Sequence, residues 1–471
     1  MILAGGRRDS RELLTGATLG LYAALAALMP GRVAKLVLAA PLLALPIVWP
    51  ILTFPNAWLA AFLASALLTP PLPIPLGDTG PHLALLFAAA GLFVGLLRLS
   101  EWRLEIDPLL VSLFSLTAIM LASIGMAAFY SGLGIAAASF ARVMLFGISV
   151  YVFLYVRDGP ARIESTQSFR ALRLLFWAAI ASAVFAVVDF YFQFPTPAGY
   201  EPQFIWLDTG RFRRAQGVFY EASTLGNLCA FFLEMIAVAL FRPRASRPIS
   251  RLAMLIGGAA LAAALVLSYS RASLLNLGVA MLVLLWLHRE RFRWGRLVLR
   301  LGLLGAGAAA VVAVAFPSFA GHYWLRVSNG FQYFFETPNA VLSGRLVSWQ
   351  MLGNFLLSHP GHMLLGVGYK TLPYSTFIGR TSVADNTYIS SLAETGIVGL
   401  AAVLLLNIAI LTTAYRAFRS GHPVRSFCGA WMCCFWAGQA VQMLSADLLT
   451  YWRVLPVYFF VLALAACAEA G

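Results

Sequence analysis

Residues 107–155 read DPLLVSLFSLTAIMLASIGMAAFYSGLGIAAASFARVMLFGISVYVFLY, and this stretch decides the fold class. Between Asp107 and Arg142 it contains no charged side chain. Residues 107–127 and 135–155 are each apolar over about 20 residues, the length that a helix needs to cross the hydrocarbon core of a bilayer. The stretch therefore predicts two membrane-spanning helices joined by the short connection 128–134.

The rest of the chain repeats this pattern. Of its 471 residues, 61% are hydrophobic and only 11% are charged, a composition that excludes a soluble globular protein. We predict an all-α polytopic transmembrane protein with about 12–14 transmembrane helices. The candidate spans are 11–29, 34–52, 55–70, 82–98, 107–127, 135–155, 170–192, 218–241, 250–268, 272–288, 296–316, 394–415, 425–446 and 451–469.

These spans divide the chain into three parts. Residues 1–316 hold the N-terminal transmembrane helices, 317–393 form one long extracytoplasmic loop, and 394–471 hold the C-terminal transmembrane helices. The first apolar run follows basic residues as in a signal peptide, but it lacks a small-residue cleavage site, so we expect a retained helix. Prolines interrupt residues 34–70, which leaves two spans or one span with a re-entrant segment as alternatives.

Arginines in the connections predict the orientation. They concentrate in 157–173, 242–251, 289–300 and 416–425, which the positive-inside rule assigns to the cytoplasm. The net charge of +14 comes largely from such short loops, so it does not indicate nucleic-acid binding. The polar stretch 343–400 then faces the opposite side of the membrane.

A few basic residues fall on that opposite side. Arg214 lies in RFRRAQGVFYEAS, and Arg271 lies in a turn so short that its guanidinium must sit at the membrane rim. Arginine there is typical of functional sites, although a snorkelling side chain that orients a helix hairpin is the alternative. The planar guanidinium group suits bidentate contact with phosphate, so a lipid pyrophosphate is the ligand that we expect.

Four motifs carry a family resemblance. GRLVSWQMLGNFLLSHPGHMLLGVGY and DNTYISSLAETGIVGL resemble the long-loop motifs of the O-antigen ligase and O-antigen polymerase superfamily of bacterial inner-membrane glycosyltransferases. RRAQGVFYEASTLGN and LSYSRAS are similar to its two upstream arginine motifs. Together the motifs cover about 210–400, whereas the flanking helices agree only in hydropathy.

The resemblance implies a function and a set of partners. The donor would be an oligosaccharide linked to undecaprenyl pyrophosphate, transferred with inversion to a glycan or lipid acceptor, without a metal, nucleotide or other cofactor. Membrane lipids and a chain-length regulator are further expected partners. The protein would be a multi-pass protein of the bacterial inner (cytoplasmic) membrane, with its active site on the periplasmic face.

The resemblance also assigns residues position by position. Arg214 and Arg271 match the two arginines that would bind the donor pyrophosphate, and Arg345 would be a third ligand or an anchor of the loop. Asp385 stands where the ligases have a histidine that activates the acceptor. A carboxylate is able to act as a general base, but aspartate is also a favoured helix N-cap, so both roles stay open.

Glu221 is the second candidate for a catalytic carboxylate. GVFYEAS looks like the Glu-Pro-Ser variant of some polysaccharide polymerases, and the alternative is a salt bridge with a neighbouring arginine. Together with the missing histidine, it favours a polymerase of O-antigen or exopolysaccharide over a ligase that acts on lipid A-core. A lipid-linked oligosaccharide transporter is a third reading, but it should show two related halves, and no internal repeat is visible.

Other polar residues receive simpler interpretations. We expect Arg142 and Asp189, both in the outer halves of spans, to pair with each other. Structural loop roles are favoured for His359 and His362, with His362 as a fallback base. The glycines are expected to allow a turn at Gly366 and Gly368, and close helix packing at Gly396 and Gly399.

Overall fold

The computed structural model describes residues 53–72, 81–161, 165–197, 200–207, 210–243, 247–291, 344–374 and 384–467, with a few isolated positions between them. Helices dominate these ranges, and the sheet that they contain is one two-stranded hairpin. The all-α polytopic fold class is therefore confirmed. The predicted spans 11–29, 34–52 and 296–316 fall almost wholly outside the described residues, and the division of the chain at 316 and 393 stays a prediction.

The described helices follow the predicted spans closely. In chain order they are α1 Ala57–Leu68, α2 Leu83–Leu97, α3 Pro108–Ser131, α4 Leu133–Arg157, α5 Ser165–Phe192, α6 Ala222–Leu240, α7 Arg251–Leu267, α8 Arg271–Leu287, α9 Arg345–Ser358, α10 Pro360–Leu365, α11 Thr387–Phe418, α12 Pro423–Gln442 and α13 Leu455–Ala466.

Length and composition separate these helices into two groups. Within the described ranges, α3, α4, α5, α6 and α11 are long and apolar enough to cross a membrane. The helices α1, α2, α7, α8 and α13 are apolar but shorter. The chain is thus a multi-pass membrane protein.

The core of the bundle lies where α12 packs against α8, α11, α13 and α6. Trp431 of α12 stacks on Phe231 of α6, with ring centroids 4.2 Å apart, and its Nε1 donates a 2.7 Å hydrogen bond to the carbonyl of Phe231. Both side chains are fully buried. An indole needs a partner for its N–H when it is buried, so this contact fixes the register of the two helices.

Polar contacts define two ends of the bundle. At one end, which we call the basic end, Arg242 donates to Ser426 and Arg173 donates to the carbonyl of Pro248. At the other end, which we call the site end, Arg214 donates to the carbonyl of Ser268. The ends of α5, α6, α7 and α12 therefore segregate the loop arginines from the candidate site, as the arginine distribution predicts.

The hairpin at the site end is absent from the sequence-based prediction. Its strands β1, Phe204–Leu207, and β2, Gly210–Arg213, pair antiparallel with Phe204 opposite Arg213. They lie between the predicted spans 170–192 and 218–241. The hairpin matters because the chain leaves β2 directly into Arg214.

Candidate active site

Arg214 is held at the site end by backbone and side-chain contacts. Its amide N donates to the carbonyl of Gln203 over 2.9 Å, and the next amide, of Ala215, donates to the carbonyl of Leu267 over 2.9 Å. The Nε of Arg214 donates to the carbonyl of Ser268 over 2.8 Å. The hairpin and the α7–α8 turn together therefore fix this guanidinium.

Arg271 is the first residue of α8 and lies in that turn. Ser270 caps the helix, because its Oγ accepts a hydrogen bond from the amide of Ser273. Gly226 of α6 permits the close approach of the turn: a Cβ at this position would lie 2.8 Å from Ser273 Oγ. The predicted tight turn over 268–272 is thus confirmed, and the Arg271 side chain is exposed at its surface.

Arg214, Arg271 and Arg345 converge although they are far apart in the sequence. Burial lowers the pKa of Arg214, the nearby Tyr451 and Glu221 raise it, and the positive charges of Arg271 and Arg345 lower it. Like charges lower a pKa only where they are close enough to repel the protonated form. Three cationic groups therefore share one region with the carboxylates of Glu221 and Asp385.

Arg345 begins α9 and contacts the start of α11. Its Nε donates to Asp385 Oδ2 over 3.4 Å, and Trp349, one turn later, donates from Nε1 to the carbonyl of Ala384 over 2.6 Å. Asp385 has φ +45°, a left-handed conformation that non-glycine residues adopt rarely. The backbone therefore turns sharply at Asp385 and leaves half of its side chain exposed.

Asn386, and not Asp385, caps the helix that follows. Asn386 Oδ1 accepts hydrogen bonds from the amides of Tyr388 and Ile389, and its Nδ2 donates to the carbonyl of Leu444. The alternative that Asp385 serves as an N-cap is therefore wrong. The strong cap also explains why α11 begins at Thr387, seven residues before the predicted start at 394.

Glu221 precedes α6 and lies close to both Arg214 and Asp385. Its Oε2 accepts a 2.6 Å hydrogen bond from Thr224 Oγ1. Burial raises the pKa of Glu221 and the nearby charge of Asp385 raises it further, while Thr224 and Arg214 lower it. In the described part of the chain the Glu221 carboxylate accepts its hydrogen bond from Thr224, and it forms no direct salt bridge with an arginine.

Tyr451 belongs to the same region and was missed by the sequence reasoning. It is buried in the connection between α12 and α13. Burial raises the pKa of its hydroxyl well above the usual value, and the charges of Glu221, Asp447 and Asp385 add to the shift, while a hydrogen bond with Ser223 opposes it. A lone tyrosine in a short loop carries no motif, so only the fold reveals it.

A second charged cluster borders the site. Lys370 Nζ donates to Asp447 Oδ2. Burial disfavours the charged form of Lys370, but Asp447 and Glu394 outweigh this effect and raise its pKa. The ion pair joins the loop after α10 to the connection between α12 and α13, next to Tyr451.

The predicted pair of Arg142 and Asp189 is wrong. Arg142 Nη1 donates to the carbonyl of Lys370 over 2.9 Å, whereas Asp189 accepts from Arg213 Nη2 over 3.3 Å. Each residue contacts the loop that passes over its own helix, because α4 and α5 present them to different segments. Both residues therefore hold site-end loops in place.

The Gly366–Gly368 segment and the region around Gly396 in α11 contact each other through their backbones. Gly396 has φ +74° and ψ −174°, which breaks α11. The carbonyls of Ala393 and Glu394, which the break would leave without helical partners, accept hydrogen bonds from the amides of Val367 and Gly368 over 3.0 and 2.9 Å. The expected turn at the Gly366–Gly368 motif is confirmed, and it docks onto the broken helix.

His359 and His362 lie in this docked segment. His359 Nδ1 is 2.9 Å from the carbonyl of Phe355, and the His362 ring packs against Phe355 and Tyr130. These contacts fit the structural roles expected from the sequence. Across the residues that the structure describes, no group of three or more His, Cys, Asp and Glu side chains is arranged to hold a metal ion.

The fold and the site define a polytopic membrane protein with converging arginines and carboxylates at one end. A family model described as O-antigen ligase matches residues 256–404, from α7 into α11. This match confirms the resemblance to the O-antigen ligase and polymerase superfamily over these residues. No curated protein matches the chain.

The match supports an O-antigen ligase or polymerase type of membrane enzyme with a glycosyltransferase-like activity. The family implies a lipid-linked glycan and an acceptor as substrates. Arg271, Arg345 and Asp385 lie within the matched residues, whereas Arg214 and Glu221 lie outside them. The roles of all five residues stay predictions.

Proposed function

We propose that this protein is a glycosyltransferase that uses glycan linked to undecaprenyl pyrophosphate as its donor. The observation that carries the proposal is that the Arg214 guanidinium is bound to the carbonyl of Ser268, in the turn that ends at Arg271, while the charges of Arg271 and Arg345 are near enough to act on it. Phosphate oxygens match the fork geometry of guanidinium groups. The leaving pyrophosphate gains charge during transfer, and the arginines would stabilise that charge.

The acceptor hydroxyl needs a base. Glu221 is the better supported candidate, because its pKa is raised by burial and a carboxylate with a raised pKa is a stronger base near neutral pH. Asp385 is engaged with Arg345 over 3.4 Å, which supports a role in holding that arginine. In the proposed reaction the acceptor oxygen attacks the anomeric carbon, the carbon–phosphate oxygen bond breaks, and the carboxylate takes the acceptor proton.

We further propose that the enzyme is a polymerase of O-antigen or exopolysaccharide repeat units, and not a ligase. Glu221 beside Arg214 and aspartate in place of the ligase histidine support this choice. The reaction would proceed with inversion and without a metal. The site end would face the periplasm and the basic end the cytoplasm, which agrees with the positive-inside rule.

The test is reconstitution of the purified protein with a single undecaprenyl-pyrophosphate repeat unit. A ladder of lipid-linked products of increasing length is the result expected of a polymerase. A single product that forms only when lipid A-core is added would instead establish a ligase. Movement of the intact lipid-linked glycan across a vesicle membrane without chemistry would establish a transporter.

A further inference from the structure

An apolar groove runs along the side of the bundle between α1 and α5. It encloses about 630 Å³, within the roughly 300–1,000 Å³ typical of ligand sites. The residues that line it recur at helical spacing: Leu59 and Leu63 lie on α1, and Ala171 and Ala178 lie on α5. Phe460 of α13 forms the floor. We call these residues, with their neighbours from Asn56 to Leu68 and from Gln167 to Ala181, the α1–α5 groove.

The groove has the length of one lipid leaflet. Its α1 wall extends from Asn56 to Leu68, which corresponds to about 18 Å at the 1.5 Å rise of a helix. Half of a hydrocarbon core of about 30 Å is about 15 Å. One acyl chain of a membrane lipid therefore fits along the groove.

Contacts at the far end show that α1 and α5 run parallel. Arg453 donates to the carbonyls of both Ala66 of α1 and Val218. A Cβ on Gly217, next to Val218, would lie 2.7 Å from the Cβ of Ala186 of α5. The last turn of α1 is thus level with Ala186, and Asn56 is level with the first turns of α5.

Polar side chains collect at the Asn56 end. Arg170 is exposed and makes no hydrogen bond or ion pair with any residue that the structure describes. Asn56 Oδ1 is buried and lacks a hydrogen-bond donor in the described part of the protein. An unpaired guanidinium binds phosphate, and a buried amide oxygen needs a hydroxyl or amine donor. This end of the groove, the basic end, lies opposite the site end.

We propose that the α1–α5 groove binds one anionic glycerophospholipid whose head group carries hydroxyls, the chemistry of phosphatidylglycerol. One acyl chain lies between Leu63 and Ala178 over Phe460. The phosphate contacts Arg170, and a head-group hydroxyl donates to Asn56 Oδ1. Basic residues between transmembrane helices are a known type of site for anionic head groups. The proposal is independent of the proposed glycosyl transfer.

Native mass spectrometry of the delipidated full-length protein tests this proposal. Titration with phosphatidylglycerol should give one tightly bound lipid, and phosphatidylcholine should bind at least about tenfold more weakly because the charge and the hydroxyl donors are lost. Arg170→Gln should weaken phosphatidylglycerol binding by about tenfold or more. Ala64→Phe, which adds a ring to the α1 wall, should also reduce binding.

Arg251→Gln is the matched control, because Arg251 is an exposed arginine at the start of α7, also at the basic end. It should leave lipid binding unchanged, and size-exclusion profiles should show that all variants are folded. Equal binding of phosphatidylcholine would overturn the proposal, as would unchanged binding by Arg170→Gln or an equal loss in Arg251→Gln. Retention of a polyprenyl lipid, or of a second copy of the chain, in place of the phospholipid would also overturn it.

Discussion

One guanidinium nitrogen of Arg214 makes a hydrogen bond within the protein, and the other two remain for a ligand. Its Nε is bound to the carbonyl of Ser268, and its terminal nitrogens have no hydrogen-bond partner among the described residues. The bond to Ser268 orients the plane of the guanidinium. Such an arrangement holds the fork in position before a phosphate arrives, which reduces the entropy that binding must overcome.

We therefore predict that Arg214→Ala and Arg271→Ala each reduce glycan transfer by roughly 10²- to 10³-fold, the range seen when one preorganised donor to a developing anion is removed. Lysine at either position should restore transfer only in part, because a point charge does not reproduce the bidentate contact. The measurement is the rate of transfer by purified variants that retain the wild-type size-exclusion profile.

Arg211→Ala is the control for the arginine variants. Arg211 lies on the same hairpin, but its guanidinium stacks on the ring of Phe204 at 3.5 Å from the centroid, and the residue is exposed. Its loss should leave transfer nearly unchanged. Wild-type rates in Arg214→Ala or Arg271→Ala would refute pyrophosphate binding by these side chains.

Glu221 and Asp385 should affect the pH dependence of the transfer rate differently. If Glu221 is the base, Glu221→Gln should lower turnover by roughly 10²- to 10⁴-fold. Because the pKa of Glu221 is raised, the wild-type rate should fall, as the pH decreases, at a pH above about 4.3, the ordinary value for glutamate. This acidic limb should disappear in the residual activity of Glu221→Gln.

Asp385→Asn separates the two carboxylate roles. Since Asn386 already caps α11, the substitution leaves the cap intact and removes only the charge opposite Arg345. A weaker apparent affinity for the donor is expected, with the acidic limb retained but moved toward lower pH, because the charge of Asp385 raises the pKa of Glu221. Loss of the limb in Asp385→Asn, with normal turnover in Glu221→Gln, would reverse the assignment.

At the scale of elements, the break in α11 is a feature that should be sensitive to substitution. Gly396→Ala places a side chain at φ +74° and drives its Cβ into the carbonyl of Leu364. The backbone conformation alone costs about 1–3 kcal/mol. The variant should therefore unfold at a lower temperature and lose activity, as measured by thermal unfolding in detergent and the transfer assay.

Gly353→Ala in α9 is the matched control. A Cβ at Gly353 would meet no atom within 4 Å, and its backbone is helical. Alanine should therefore be neutral or stabilise by about 0.5–1 kcal/mol. Equal thermal stability of Gly396→Ala and wild type would contradict the structural role of the break.

The helices could be predicted from the sequence, whereas the polar contacts between elements could not. Apolar runs locate α3 and α4 within a few residues because hydropathy decides what enters the bilayer. The β1–β2 hairpin is too short to give a periodic signal, and the break at Gly396 lies inside a continuous apolar pattern. The site arginines were found through motif resemblance, but Tyr451 and the pair of Lys370 with Asp447 depend on how distant loops meet.

At the scale of the whole molecule, the segregation of the two ends predicts opposite accessibility. In a background without the native cysteines, Leu444→Cys at the site end should react with an impermeant maleimide in cells whose outer membrane has been permeabilised. Gly421→Cys, at the basic end between α11 and α12, should react only after the inner membrane is opened. Both positions are exposed. The reverse labelling pattern would place the site end in the cytoplasm.

The proposed transfer should also be insensitive to chelators. Charge stabilisation by three arginines replaces the role that a divalent ion has in other phosphate chemistry. Addition of EDTA to the purified enzyme should leave the rate of transfer unchanged. Loss of activity on chelation that magnesium or manganese restores would show that a metal takes part.

The buried Arg453 has a consequence for how a donor reaches the enzyme. Its guanidinium donates to the carbonyls of Ala66, Thr69 and Val218, and no carboxylate contacts it in the described part of the chain. The C-terminus of α1 offsets only about half an elementary charge. A net positive charge therefore remains at the site end. Encounter with a dianionic lipid is then a search in two dimensions that this charge biases, and its rate should fall as the ionic strength rises.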